Sequence, residues 1–195
     1  MKKANNNDSG HKSPEALAAA IKQTAKSEKG LPPVHLWNPP LLGDLDMRIA
    51  RNGHWFYQNS LITRPQLVKL FSTILRYDDD GCHYLVTPVE KWRIEVEDAP
   101  FVAVLVDAKG AGEQQVLRFS TNVGEQVEAG IKNRIRVGLD PVTAEPKPYI
   151  HIRSGLEALI SRNVFYDLVN LAQEHQVNGK TVLGVWSGGE FFGLE

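Results

Sequence analysis

Two stretches of this chain repeat one pattern of apolar and polar positions. "LITRPQLVKL", beginning at Leu61, and "LISRNVFYDL", beginning at Leu159, each run from an apolar pair through a hydroxyl residue and an arginine into a segment of helical period. Leu67, Leu70, Phe71, Ile74 and Leu75 fall at i, i+3, i+4, i+7 and i+8, and Phe165, Leu168, Val169 and Ala172 line one face in the second copy. Thr63 and Ser161 stand where the caps of the two helices belong, and Gln66 can complete a capping box in the first. Upstream of each helix the period drops to two. "DMRIARNGHWFY", from Asp46, predicts a hairpin around Asn52-Gly53, and "YIHIR", "SG" and "LEALI" predict another around Ser154-Gly155. Arg51-Asn52-Gly53 aligns with Arg153-Ser154-Gly155, with a gap of a few residues in the second copy. Strand patterns also follow each helix, in "CHYLVTPVEKWRIEVEDAP" and in "KTVLGVW" and "EFFGL". The chain reads as hairpin, helix and hairpin, written twice.

Between the copies, the apolar run over 101–106 predicts a fully buried strand, "KGAGE" a turn, and "NRIRVGL" a strand with Ile135, Val137 and Leu139 on one face. The fold class that follows is α+β, mostly antiparallel strands in two tightly packed domains. Asp98-Ala99-Pro100 is the break between a domain over 31–98 and one over 99–195. Residues 1–30 precede both: a polar, asparagine-rich leader over 1–12, then an alanine-rich helix with Ser13 as cap, Pro14 at its first position and Gly30 as its stop. In "LPPVHLWNPP" the prolines forbid regular structure, and Trp37 is the expected anchor.

Composition narrows the classes. Apolar residues make up 42% of 195 and charged residues 23%, the ordinary globular range. No apolar run approaches the length of a membrane span, and the two lysines at the start are followed by asparagines rather than an apolar stretch, so a cytoplasmic location is expected. Cys82 is the single cysteine, which fits a reducing compartment. The net charge of −1 offers no overall field for an extended nucleic acid and leaves room for a local basic pocket.

The sharpest candidates are Arg64 and Arg162. A cation in the first helical turn faces the positive end of the macrodipole, at roughly 0.3–1 kcal/mol, unless an anion sits there too. An arginine fork beside unpaired N–H groups suits phosphate or carboxylate; an internal ion pair or plain solvation is the alternative. In "YIHIR", alternation places Tyr149, His151 and Arg153 opposite Ile150 and Ile152, as a ring, an imidazole and a fixed cation on one face. Tyr84, Lys91 and Trp186 are weaker candidates near strand ends. The charges of "KWRIEVED" suit cross-strand pairing. "YDDDG" lacks the alternation of a calcium loop, "NGKT" lacks the head of a phosphate loop, and "WSGGE" lacks the first glycine of a nucleophile elbow. No metal site, cofactor site or catalytic set is expected from these spacings.

"GHWFYQNSLITRP", "PVEKWRIEVEDAPFVAV", "GLEALISRNVFYDL" and the terminal "GVWSGG" resemble the bacterial family catalogued as domain of unknown function 1285, from about Asp44 to the C-terminus. The resemblance implies a duplicated architecture whose C-terminal domain is loosely similar to pleckstrin-homology barrels, a nucleotide-like ligand near the domain interface, and a role in signalling. The leading expectation is thus a non-enzymatic protein binding an anionic, nucleotide-derived small molecule where the domains meet. A protein-interaction adaptor recruiting a partner strand to an exposed "EFFGL" edge is the alternative. An enzyme acting on a phosphorylated metabolite, with His151 or Glu90 as base, is the third.

Overall fold

The computed structural model describes Ala18, Ala19 and residues 30–194. The leader over 1–12 lies outside these residues. So does the helix expected from Ser13, apart from Ala18 and Ala19, which are helical, with Ala18 buried.

The first sheet begins with β1 (Leu41–Ile49), β2 (Trp55–Tyr57) and β3 (Ser60–Leu61); after the helix α1 (Pro65–Thr73) come β4 (Leu75–Tyr77), β5 (His83–Val86) and β6 (Lys91–Val96). Its order is β3-β2-β1-β6-β5-β4, and β1 with β6 is its one parallel pair. Gly53 takes φ +80 in the β1–β2 turn, as Asn52-Gly53 predicts. A second tight turn follows at once, with Gln58 and Asn59 both at positive φ, and reverses β2 into β3. That extra turn accounts for the residues missing from the second copy.

Helix α1 departs from expectation at both ends. It starts at Pro65 with Arg64 as cap and no side-chain capping bond, so neither the Thr63 cap nor the Gln66 box forms. The cause is local: the proline ring bars helical backbone from the residue before it, and Arg64 is held extended at φ −90, ψ 107. At the far end, the hydroxyls of Ser72 and Thr73 donate back to the carbonyls of Lys69 and Leu70, Ile74 caps the helix, and Leu75 enters β4.

The second sheet comprises β7 (Phe101–Lys109), β8 (Val116–Thr121), β9 (Gln126–Glu128), β10 (Ile135–Leu139), β11 (Pro146–Arg153) and β12 (Leu156–Ile160), in the order β10-β11-β12-β7-β8-β9. Here β12 and β7 form the parallel pair. Helix α2 (Arg162–Leu171) and a three-stranded sheet of β13 (Gln173–Val177), β14 (Lys180–Ser187) and β15 (Glu190–Gly193) complete the chain. Ser154 and Gly155 turn β11 into β12, and Asn178 and Gly179, at positive φ, turn β13 into β14, which assigns "NGKT" to a hairpin. The protein is therefore mostly β, with two six-stranded sheets and one helix beside each among the described residues: two similar domains.

The likeness stops at the level of sheet partners. After α1 the meander β4–β6 returns to β1, whereas after α2 the meander β13–β15 forms its own sheet and β12 is completed by β7, which precedes it in the chain. Three further expectations are corrected. Only Phe101, Val102 and Ala103 of the run over 101–106 are buried; a bulge between Ala103 and Leu105 re-aims the strand, leaving Val104 and Leu105 half exposed. Ala172 caps α2 in extended backbone instead of extending its face. "EFFGL" does form an edge strand, β15, but not an exposed apolar one: Phe192 and Leu194 are buried, and Phe191 packs on His175 and Trp186.

Ile49, Trp55, Phe71 and Leu85 fill the first half of the core, and Phe101, Phe119, Ile150 and Leu156 the second. Short polar links join the halves. The Asn122 side chain accepts from Val102 N–H at 3.0 Å and donates to the Gly53 carbonyl at 3.1 Å, tying the first hairpin turn to the second sheet. Arg153 donates to the Ser72 carbonyl at 2.8 Å, placing its charge at the negative end of α1.

Candidate functional site

At the seam a buried carboxylate gathers cations from both halves. Asp98, 7% exposed, accepts from the Tyr149 hydroxyl at 2.7 Å, and its other oxygen lies 3.3 Å from Arg51 Nε and 3.1 Å from Lys147 Nζ. Arg51 comes from the β1–β2 turn and Lys147 from the start of β11. Asp98 holds the Lys147 ammonium above its ordinary value. Burial, and then the bond to Asp98, raise the Tyr149 hydroxyl. Arg136 caps the tyrosine, its guanidinium carbon 4.1 Å from the ring centre, while bonding Glu157.

Beside this cluster a cavity of about 480 Å³ opens between the β10–β11 loop and α2. Arg51, Lys147 and Arg162 line it, with Phe165 and Tyr166 as its aromatic wall and Asp140 and Glu145 as its acids. Asp140 is already engaged: the N–H groups of Val142 and Thr143 bond its carboxylate at 2.9 and 3.1 Å and hold it below the usual range, and its other oxygen lies 3.7 Å from Lys147 Nζ. Glu145 meets Arg162 at 3.4 Å, with both side chains mostly exposed at 64% and 72%. Such an exposed pair is worth little to stability.

Of the residues singled out in the sequence, Arg162 stands at this cavity. Arg64 is exposed and lines a different one, along α1. The two repeated arginines therefore do not meet in one pocket. Nor do Tyr149, His151 and Arg153 form one wall, because pairing with β12 shifts register between His151 and Arg153. Tyr149 turns to Asp98, and Arg153 reaches Glu125 at 3.0 Å as well as the Ser72 carbonyl. His151 uses both ring nitrogens, one 3.0 Å from the Lys132 carbonyl and one taking the Gly155 N–H at 3.3 Å. Internal bonds thus occupy the imidazole that the enzyme reading wanted as a base.

The weaker candidates form two other clusters. The Tyr84 hydroxyl donates to Asp80 at 2.5 Å, which raises it, and Lys91 sits 4.2 Å above its ring while pairing with Asp78. Burial alone would push Asp78 up, but bonds from Arg76 and Lys91 outweigh it and hold the carboxyl low. Trp186 packs edge-on against His175 and Phe191 on the three-stranded sheet. No metal-ligating cluster occurs among the described residues, and none of their helices is long and apolar enough to cross a membrane.

Sequence reasoning passed over Arg51, Lys147 and Asp98. The signal for one was present: Arg51 aligns with Arg153, and both arginines at that turn position end at the seam, Arg51 on Asp98 of its own domain and Arg153 on the Ser72 carbonyl across it. Lys147 and Asp98 carry no local mark, since neither a lysine between two prolines nor an acid at a domain boundary says by itself which charge it will meet.

Comparison with known proteins follows this division. A model of the N-terminal domain of the family of unknown function DUF1285 matches residues 32–99, and a model of its C-terminal domain matches residues 100–194. The crystal structure of a DUF1285 family protein from Silicibacter pomeroyi DSS-3 is similar at 53% identity and a TM-score of 0.84, covering 93% of this chain and 94% of that one. A DUF1285 family protein from Shewanella baltica OS155 is similar at 30% identity and a TM-score of 0.50, over 65% of this chain and 91% of that one. No curated protein matches.

Proposed function

The chain belongs to the DUF1285 family, and from that premise we propose that it is a non-enzymatic module holding an anionic, nucleotide-derived small molecule at the domain seam and relaying its presence in a signalling role. One observation carries the reading: Arg51, Lys147 and Arg162, from three separate segments, converge on one cavity beside Phe165 and Tyr166. An arginine fork and an ammonium suit phosphate oxygens, and an aromatic wall suits a base. The exposed Glu145 occupies the place that the ligand's anion would take beside Arg162. The pleckstrin-homology-like description of the C-terminal half belongs to this proposal too, supported by a mostly antiparallel sheet meeting a three-stranded meander beside one helix.

A thermal-shift series with nucleoside mono- and diphosphates tests the site. Stabilisation of the unaltered protein that is lost in Arg162→Ala and in Lys147→Ala, yet kept in Arg64→Ala, is the expected result. Equal stabilisation of all four proteins, or of none, would remove this cavity from consideration.

A further inference from the structure

Three cations reach the seam cavity: Arg51, Lys147 and Arg162. Two acids are fixed beside them. The Asp98 carboxylate is 7% exposed and lies 3.3 Å from Arg51 Nε and 3.1 Å from Lys147 Nζ. The Asp140 carboxylate is 16% exposed; one oxygen takes both loop N–H groups and the other lies 3.7 Å from Lys147 Nζ. The third acid differs. Glu145 is 64% exposed, and among the described residues its carboxylate meets only Arg162, so turning it into water costs little. With Glu145 turned away, three cations stand against two fixed acids, and the cavity presents one net positive charge.

Building on the nucleotide reading of this cavity, we propose that it selects a monoanionic phosphodiester of a single nucleoside, such as a cyclic nucleoside monophosphate, over ligands that end in a free phosphate. A phosphodiester carries one negative charge at neutral pH and matches the one surplus cation. A terminal phosphate carries close to two, because its second proton leaves near about pH 6, and a diphosphate carries more. Each further charge would face Asp98 and Asp140 with no surplus cation among the described residues to meet it, so its loss of hydration is not returned. The cavity of about 480 Å³ lies in the lower half of the range that encloses small ligands, which suits one nucleoside unit against Phe165 and Tyr166.

Calorimetric titration of the full-length protein with adenosine and guanosine compounds in three charge states reads the selection. The probes are the nucleoside, its monophosphate, and two diesters: the cyclic monophosphate and the methyl ester of the monophosphate, which removes one charge and keeps base, sugar and phosphorus. At neutral pH the diesters bind about fivefold more tightly than the monophosphate, and the uncharged nucleoside binds weakest. Asp140→Asn keeps the oxygen that accepts from Val142 and Thr143 and deletes the charge facing Lys147. The added positive charge tightens the monophosphate more than the diesters and closes the gap between them. Glu145→Gln, at an exposed position, tightens both kinds of ester alike, by about twofold to threefold. A monophosphate that binds as tightly as the diesters, a gap that survives Asp140→Asn, or a nucleoside that binds as well as its esters overturns the charge assignment and leaves the nucleotide reading standing. Absence of saturable binding by every probe removes that reading, and the selection with it.

Discussion

Replacing Gly53 by alanine should destabilise the protein through one contact across the seam, and a double-mutant cycle can isolate that contact. Gly53 holds φ +80, where an added Cβ brings a backbone penalty of about 1 kcal/mol. The same Cβ would lie 2.5 Å from the Asn122 amide nitrogen and 2.9 Å from a Val102 methyl, which adds about 1–3 kcal/mol of overpacking. Gly53→Ala alone should therefore cost about 2–4 kcal/mol. Asn122→Ala removes the bonds to Val102 N–H and to the Gly53 carbonyl, for about 2–3 kcal/mol. In the double variant the amide that the added Cβ would strike is gone, so the combined loss should fall short of the sum by about 1–2 kcal/mol. Urea unfolding followed by tryptophan fluorescence measures all four corners, since Trp55 lies close to the turn. Strict additivity would show that the seam does not pack as described, and a neutral Gly53→Ala would show that the turn is not held left-handed.

Two other predictions concern buried polar groups. Burial of the His83 ring, which lies 4.9 Å from Tyr77, lowers its pKa from 6.5 to about 4, so the unfolded chain takes up the proton first. The neutral ring's contribution is complete above pH 6.5 and is lost as the pH falls towards 4; discounted for partial solvent access it amounts to about 1–2 kcal/mol. The stability difference between the protein and His83→Leu should shrink by that amount between pH 7 and pH 4, and a pH-independent difference would refute it. Ser187, fully buried, accepts from Leu117 N–H at 2.9 Å and donates to the Ala129 carbonyl at 2.7 Å, joining the three-stranded sheet to the second sheet. Ser187→Ala should cost about 2–3 kcal/mol in urea unfolding, and a loss below about 0.5 kcal/mol would remove that role.

Local chemistry left clear marks on the chain. Asn52-Gly53, Ser154-Gly155 and Asn178-Gly179 all turn hairpins, because positive φ is a property of a residue and its neighbour rather than of the fold. Pro65 acts just as locally: its ring holds Arg64 extended and moves the helix start past Thr63, a restraint that the order Thr-Arg-Pro carries by itself. The seam was far less legible. Tyr149, His151 and Arg153 alternate as a strand demands, yet a bulge separates them and their partners Asp98, Lys132 and Ser72 lie 51, 19 and 81 positions away.

The amino-acid sequence by itself determined where hairpins turn, that the two repeated segments are helical and that one motif occurs twice, since φ preferences and periodicity act over a few residues. Tertiary structure alone decided that the second hairpin pairs with β7 rather than with the meander after α2, that Arg64 and Arg162 border different cavities, and that Asp98 collects Arg51, Lys147 and Tyr149. Those outcomes depend on which sheet edges and which charges meet after the chain has closed long loops, and nothing within one turn of helix or one hairpin encodes that meeting.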